Sequence, residues 1–154
     1  GQLETILKYV KIGEQEGCRI ITGGKKIEGE LGKGEFVEPT LIEASSNEAR
    51  VAQEEIFGPV ATVIKFKTEE EVIKMANDSE YGLSAAIVTR NPRVMHDFAN
   101  DIQSGTVKIN RTTTGNLINA PFGGLKRSST STFRESGRTG LEFYTQIKTV
   151  YRGV

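Results

Sequence analysis

The chain has 154 residues, of which 36% are hydrophobic and 26% charged, the size and composition of one soluble globular domain able to bury a single core. A single Cys excludes an internal disulfide, and no apolar run is long enough to span a bilayer, so a cytoplasmic setting without membrane contact is expected. The formal charge balances at zero but unevenly: residues 1–105 carry 12 Lys/Arg against 18 Asp/Glu, and residues 106–154 carry 8 against 2.

In chain order, Leu3, Ile6, Leu7 and Val10 recur at helical spacing, and Gly17 is suited to a left-handed cap that ends this helix. Cys18 to Thr22 reads as a short apolar strand stopped by Gly23-Gly24. Residues 24–34 mix Lys, Glu and Gly and read as a solvated loop or hairpin. Phe36 to Ile42 is expected to be extended, with Pro39 arguing for an edge or irregular piece. Val60 to Phe66 is an apolar strand. Thr68-Glu69-Glu70-Glu71 has the form of a capping box, with Val72, Ile73 and Ala76 as the buried face of the helix that follows. Leu83 to Thr89 is a second apolar strand. Asn91-Pro92 then caps and opens a helix whose apolar stripe is Val94, Met95, Phe98, Ala99 and Ile102. Gly105 stops it, and Thr106 to Ile109 is a third strand. Asn110 to Gly124 is a long Thr-, Asn- and Gly-rich loop, a length that often marks function. Residues 125–137 are Ser-, Thr- and Arg-rich and read as irregular. Leu141 to Val150 returns to strand-forming residues.

The β-α-β-α-β order from Val60 onward predicts an α/β fold: an open, mainly parallel sheet with flanking helices, and ligands outside the carboxyl ends of its strands. The basic C-terminal third suits either an anionic ligand or the acidic part of its own protein or of a sister subunit. No nucleic-acid-binding module accompanies it, so no nucleic-acid partner is expected.

The most informative run is Glu54-Glu55-Ile56-Phe57-Gly58-Pro59-Val60, two carboxylates before an aromatic, a Gly-Pro turn and a strand. Its carboxylates suit binding to sugar hydroxyls or proton transfer; the bland alternative is two exposed acids and a core Phe. His96 lies between apolar-stripe residues, and a single His with a single Cys assembles neither a metal site nor a His-based triad. Cys18 opens an apolar strand and reads as a buried, inert thiol.

The ordered series GEFVEPT at 34–40, EEIFGPV at 54–60, YGL at 81–83, SGTV at 104–107, PFGG at 121–124 and RESG at 134–137 resembles the NAD(P)-dependent aldehyde dehydrogenase family over nearly the whole chain. The resemblance is to that family's C-terminal portion. It implies residues 1–140 as part of the catalytic domain and 141–154 as an oligomerisation strand, with the dinucleotide-binding domain and the nucleophilic Cys outside the chain. It implies that Glu55 grips the cofactor ribose and that Phe57 packs beside the nicotinamide. It makes Asn110 to Gly124 the substrate-access loop, with Phe122 lining the aldehyde pocket; the alternative for Phe122 is a core aromatic before a Gly-Gly turn. Arg111 on this loop suits a substrate carboxylate, against the alternative of a surface Arg. INRTTTG at 109–115 and SSTSTFRESG at 128–137 look most like the branch handling semialdehydes or sugar-derived aldehydes. Glu135 matches a buried glutamate proposed for proton relay; the alternative is an ion pair with Arg134 or Arg138.

The resulting expectation is an oxidoreductase fragment that oxidises an aldehyde with NAD or NADP only in the complete enzyme, forms homo-oligomers or joins a missing N-terminal portion, and is inactive alone. A structural or oligomerisation module, a subunit of a split enzyme, or an anion- or nucleic-acid-binding remnant are the alternatives.

Overall fold

The computed structural model describes residues 1–129 and 133–154. Of the segment SSTSTFRESG read above, Thr130, Ser131 and Thr132 lie outside the described residues. Packing divides the chain into two units, Gly1–Thr68 and Glu69–Val154.

The first unit begins with α1 (Gln2–Gln15), which buries Ile6 and Val10 from the predicted stripe. Gly17, at φ +79°, turns the chain out of the helix where the sequence placed its end. Three strands follow: β1 (Arg19–Thr22), β2 (Thr40–Glu43) and β3 (Val60–Val63). They form one sheet in the order β1-β2-β3, with β1 antiparallel and β3 parallel to β2. Of the two readings of the Pro39 segment, the edge is corrected, since β2 is the central strand, while residues 36–39 before it are irregular apart from the Val37 bridge. Pro39 lies one residue before β2, so its missing N–H falls outside the ladder, and the first donor is Thr40 N–H to the Pro59 carbonyl at 2.8 Å. Between β1 and β2 the chain makes a hairpin closed by an antiparallel bridge of Lys26 with Val37, its tip a short 3₁₀ turn at Gly29–Lys33. A one-turn helix, α2 (Arg50–Gln53), leads to Glu54. The core gathers Ile6, Cys18, Val37, Val51 and Ile56 around Ile42, which is fully buried.

The second unit contains α3 (Glu69–Asn77), β4 (Tyr81–Gly82), β5 (Ser84–Ile87), α4 (Pro92–Asp101), β6 (Thr106–Ile109), β7 (Leu125–Lys126) and α5 (Gly137–Phe143). Strands β5 and β6 pair in parallel across the α4 crossover, and β4 pairs antiparallel with β7. α4 starts as the sequence predicts: Pro92 is its first residue, and the Asn91 side chain accepts the Arg93 N–H at 3.0 Å. Phe98 and Ile102 are buried, whereas Ala99 is exposed, as is Ala76 on α3, where Val72 and Ile73 are only half-buried. The predicted stripes are therefore wider than the faces these helices bury.

Two further expectations change. The described strands hydrogen-bond into three small sheets with both parallel and antiparallel pairs, rather than into one open, mainly parallel sheet. Leu141 to Phe143, expected as the start of a terminal strand, instead close α5, and residues 144–154 carry no ladder hydrogen bonds within this chain and are exposed. A strand is defined by its pairing, and β-forming residues without a neighbouring edge cannot satisfy their backbone groups as one. Among the described residues, no helix is long and apolar enough to cross a membrane.

Candidate functional site

In the first unit, Glu54 ends α2 in an extended conformation, and its carboxylate is fully engaged. Arg50, one turn earlier, donates to it from Nε at 2.7 Å and Nη2 at 2.9 Å, and the Tyr9 hydroxyl donates at 2.6 Å. The Arg50 guanidinium also sits 5.8 Å from the Tyr9 ring centre. The Arg50 and Tyr9 hydrogen bonds hold the Glu54 carboxyl well below the usual carboxylate range, at about 2, while Glu54 in turn pushes the Tyr9 hydroxyl and the Arg50 guanidinium up. Successive side chains on extended backbone point to opposite sides. Glu55 accordingly faces away from this cluster: it is exposed, and no described residue forms a hydrogen bond or ion pair with its carboxylate.

Beyond Glu55, Ile56 enters the core and Phe57 turns out, 73% exposed at φ +54°. A non-glycine residue in this left-handed region costs about 1–3 kcal/mol and persists only where its surroundings over-determine it. Here the Gln2 amide donates to both the Ile56 and Phe57 carbonyls at 2.9 Å. Gly58 follows against Ile6, so close that an added Cβ would lie 2.6 Å from Ile6 Cγ1 and Cδ1. Glu55 and Phe57 both line an open cleft of about 420 Å³. An unshared carboxylate beside an outward aromatic is a fit for a nucleotide sugar and its ring.

In the second unit, β6 runs into Asn110, which adopts φ +54° and staples the strand end. Its side chain accepts the Thr89 N–H at 2.9 Å and donates to the Thr89 carbonyl at 3.0 Å. The loop beyond is tied back by Lys108, whose Nζ donates to the Thr113 and Thr114 carbonyls at 3.0 and 2.6 Å. Between loop and strand lies a cleft of about 250 Å³ lined by both Arg111 and Phe122. Phe122 is half-buried and forms a two-way backbone bridge with Glu135 at 2.6 and 2.7 Å. Glu135 thus holds the backbone of Phe122, a residue of the cleft wall. Its side chain is exposed in this chain, whereas the relay reading expects a buried glutamate in the complete enzyme. The ion-pair alternative fails: Arg134 donates to the Gly124 carbonyl at 2.7 Å and Arg138 to Glu142 at 3.1 Å.

Cys18 is buried, and burial pushes its thiol up, away from the thiolate a nucleophile needs. His96 is exposed and bonds the Asn100 amide at 2.9 Å. Among the described residues, no group of His, Cys, Asp and Glu is gathered to hold a metal ion. Sequence reasoning missed Gln2, Tyr9 and Lys108. The first two act across 54 and 45 positions, beyond any local pattern. Asn110 carried a readable signal, since Asn after a strand is the side chain most tolerant of a left-handed turn.

The sequence model of the aldehyde dehydrogenase family matches residues 1–150. This chain belongs to the aldehyde dehydrogenase family. It is 46% identical over 151 residues to an alpha-ketoglutarate semialdehyde dehydrogenase of Haloferax volcanii, an alignment covering 97% of this chain and 31% of that protein. It is 40% identical over 153 residues to a 2,5-dioxopentanoate dehydrogenase of Saccharolobus solfataricus, covering 99% and 31%. Among solved structures, a Mycobacterium tuberculosis aldehyde dehydrogenase complexed with NAD+ superposes with a TM-score of 0.86 at 39% identity, covering 94% of this chain and 29% of the other. An indole-3-acetaldehyde dehydrogenase from P. syringae, in complex with NAD+ and IAA, gives a TM-score of 0.87 at 42% identity, covering 96% and 29%. The chain therefore spans about a third of the length of the aldehyde dehydrogenases it matches.

Proposed function

We propose that these residues form the cofactor-touching C-terminal part of an aldehyde dehydrogenase catalytic domain, in an enzyme of its relatives' length that oxidises an aldehyde to a carboxylic acid with NAD or NADP. The observation that carries this reading is the contrast between two adjacent acids. Glu54 is spent on Arg50 and Tyr9, whereas Glu55 stands open beside an outward-turned Phe57. A free carboxylate accepts two hydrogen bonds from vicinal hydroxyls, and such charge-assisted bonds are the stronger kind. Glu55 would hold the nicotinamide ribose, and Phe57 would bound the ring's position. When bound, the nicotinamide supplies a hydride acceptor, and fixing its ribose fixes its orientation.

The Arg111–Phe122 cleft is the substrate side of the proposal. Phe122 offers an apolar wall to the aldehyde carbon chain, and Arg111 offers a fork for a distal carboxylate. The names of the two relatives described above support a semialdehyde that carries an acid group. Glu135 has a lesser part here, as an exposed carboxylate on the residue bridged to Phe122, available to exchange protons with water. The nucleophile would come from outside these residues, since the only Cys is buried. The 154 residues alone should therefore form no NAD(P)H from an aldehyde, and measurable turnover by them would overturn this.

Steady-state kinetics on the full-length enzyme test both sites together. Glu55→Gln should raise the KM for NAD(P)+ by about tenfold, the worth of one charge-assisted hydrogen bond. Arg111→Ala should erase a preference for acidic over neutral aldehydes. An unchanged cofactor KM sinks the Glu55 assignment, and an unchanged preference sinks that of Arg111.

A further inference from the structure

We propose that α1 is a splint for the cofactor run: Gln2, Ile6 and Tyr9 are positioning residues that set the direction of Glu55 without touching a ligand themselves. This inference rests on the assignment of Glu55 proposed above.

Positions 2, 6 and 9 are four and three residues apart and share one face of α1. Each grips a different point of the five-residue run. Tyr9 donates to the Glu54 carboxylate at 2.6 Å. Gln2 donates at 2.9 Å to the two successive carbonyls of Ile56 and Phe57. Ile6 occupies the space over Gly58 that any larger residue would claim. Glu55 is thus held between two fixed neighbours while its own side chain remains untouched. Two features of the backbone require such holding. The turn at Phe57 is left-handed without being glycine, and the residues before it leave a helix of only four residues, Arg50–Gln53. Neither would keep its geometry without an external brace. All three contacts come from one helix.

The test is a double-mutant cycle in the full-length enzyme, read as the Kd for NAD+ by calorimetry, with melting temperature measured in parallel. Tyr9→Phe removes only a hydroxyl, and Gln2→Leu only the amide. Each should weaken NAD+ binding by about three- to tenfold, the worth of a lost hydrogen bond expressed through the run. In a Glu55→Ala background, the same two substitutions should weaken binding no further, since the group they orient is gone. Arg50→Lys combined with Tyr9→Phe, which keeps a cation on Glu54, should recover part of the affinity lost on combining Tyr9→Phe with Arg50→Ala. If Tyr9→Phe and Gln2→Leu lower the melting temperature while Kd stays constant, α1 is packing alone and the splint is overturned. If they weaken binding equally with and without Glu55, the effect does not run through Glu55 and the proposal also fails. If Glu55→Ala leaves Kd unchanged, the underlying ribose assignment is what fails.

Discussion

The Glu54 carboxylate accepts two hydrogen bonds from Arg50 and one from Tyr9, and these bonds exist only in the folded chain. Its folded pKa of about 2 lies below the ordinary value of 4.5. A depressed carboxylate pKa contributes stability that is fully present above the unfolded value and is lost as pH falls through the folded one. Wild type should therefore resist urea better than Glu54→Gln at pH 7. The gap between them should close as pH falls from about 4.5 to about 2. The Glu54 side chain is 39% exposed, so solvent screens the cluster and the gap is modest. Paired urea titrations across that range check it, because every other carboxylate is common to both proteins; a gap independent of pH rejects it. The motif around Glu54 and Glu55 was legible as a place where chemistry gathers, but not which acid performs it. The Arg50–Glu54 spacing of four lay in view as a helical pair. The deciding partner was Tyr9, on another helix, and that long-range contact is invisible in a linear pattern.

Elements whose causes are local were legible in the sequence, and those whose causes are distant were not. Gly17 ending α1 and Asn91-Pro92 opening α4 depend only on adjacent backbone, and both stand where they were read. The edge expected at Pro39 was misplaced because centrality in a sheet depends on which strands arrive at either side, and β1 and β3 come from opposite directions along the chain. The half-covered faces of α3 and α4 have the same origin, since apolar spacing marks what a helix can bury and not what is there to bury it. The cap at Asn91 gives the element-scale prediction. Its side chain accepts the Arg93 N–H at 3.0 Å, satisfying one of the donors that a helix start leaves open. Asn91→Ala should lower stability by about 1 kcal/mol, and Asn91→Asp should keep most of it. The urea midpoint should shift with unchanged slope, since no core surface is altered. Equal midpoints for Asn91→Ala and wild type would show that the bond is made but not needed.

At the scale of the molecule, what matters is the segment after α5. Residues 144–154 carry Tyr144, Ile147, Val150 and Tyr151, with Ile147 100% and Tyr151 93% exposed. Their backbone donors and acceptors make no ladder. Apolar, β-forming residues on unpaired backbone present the two things an edge strand needs from a neighbour, hydrogen bonds and a face to bury. We propose that a second copy supplies them, by strand addition to a sheet edge. The charge pattern favours the same partner, because a chain with 8 Lys/Arg against 2 Asp/Glu after residue 105 and 12 against 18 before it is complementary to itself. Residues 144–154 lie outside the run at 54–58 and outside the Arg111–Phe122 cleft, so removing them should separate assembly from binding. In the full-length enzyme, truncation after Phe143 should shift the mass seen by light scattering to a smaller species. NAD+ binding measured per chain should stay within about twofold, since no residue assigned to the cofactor is lost. Replacing Ile147 and Tyr151 with Lys should reproduce the shift without shortening the chain, by putting charge on the face that pairing would bury. An unchanged mass in both variants would mean that the segment is covered within its own chain, and the proposal of strand addition would be withdrawn.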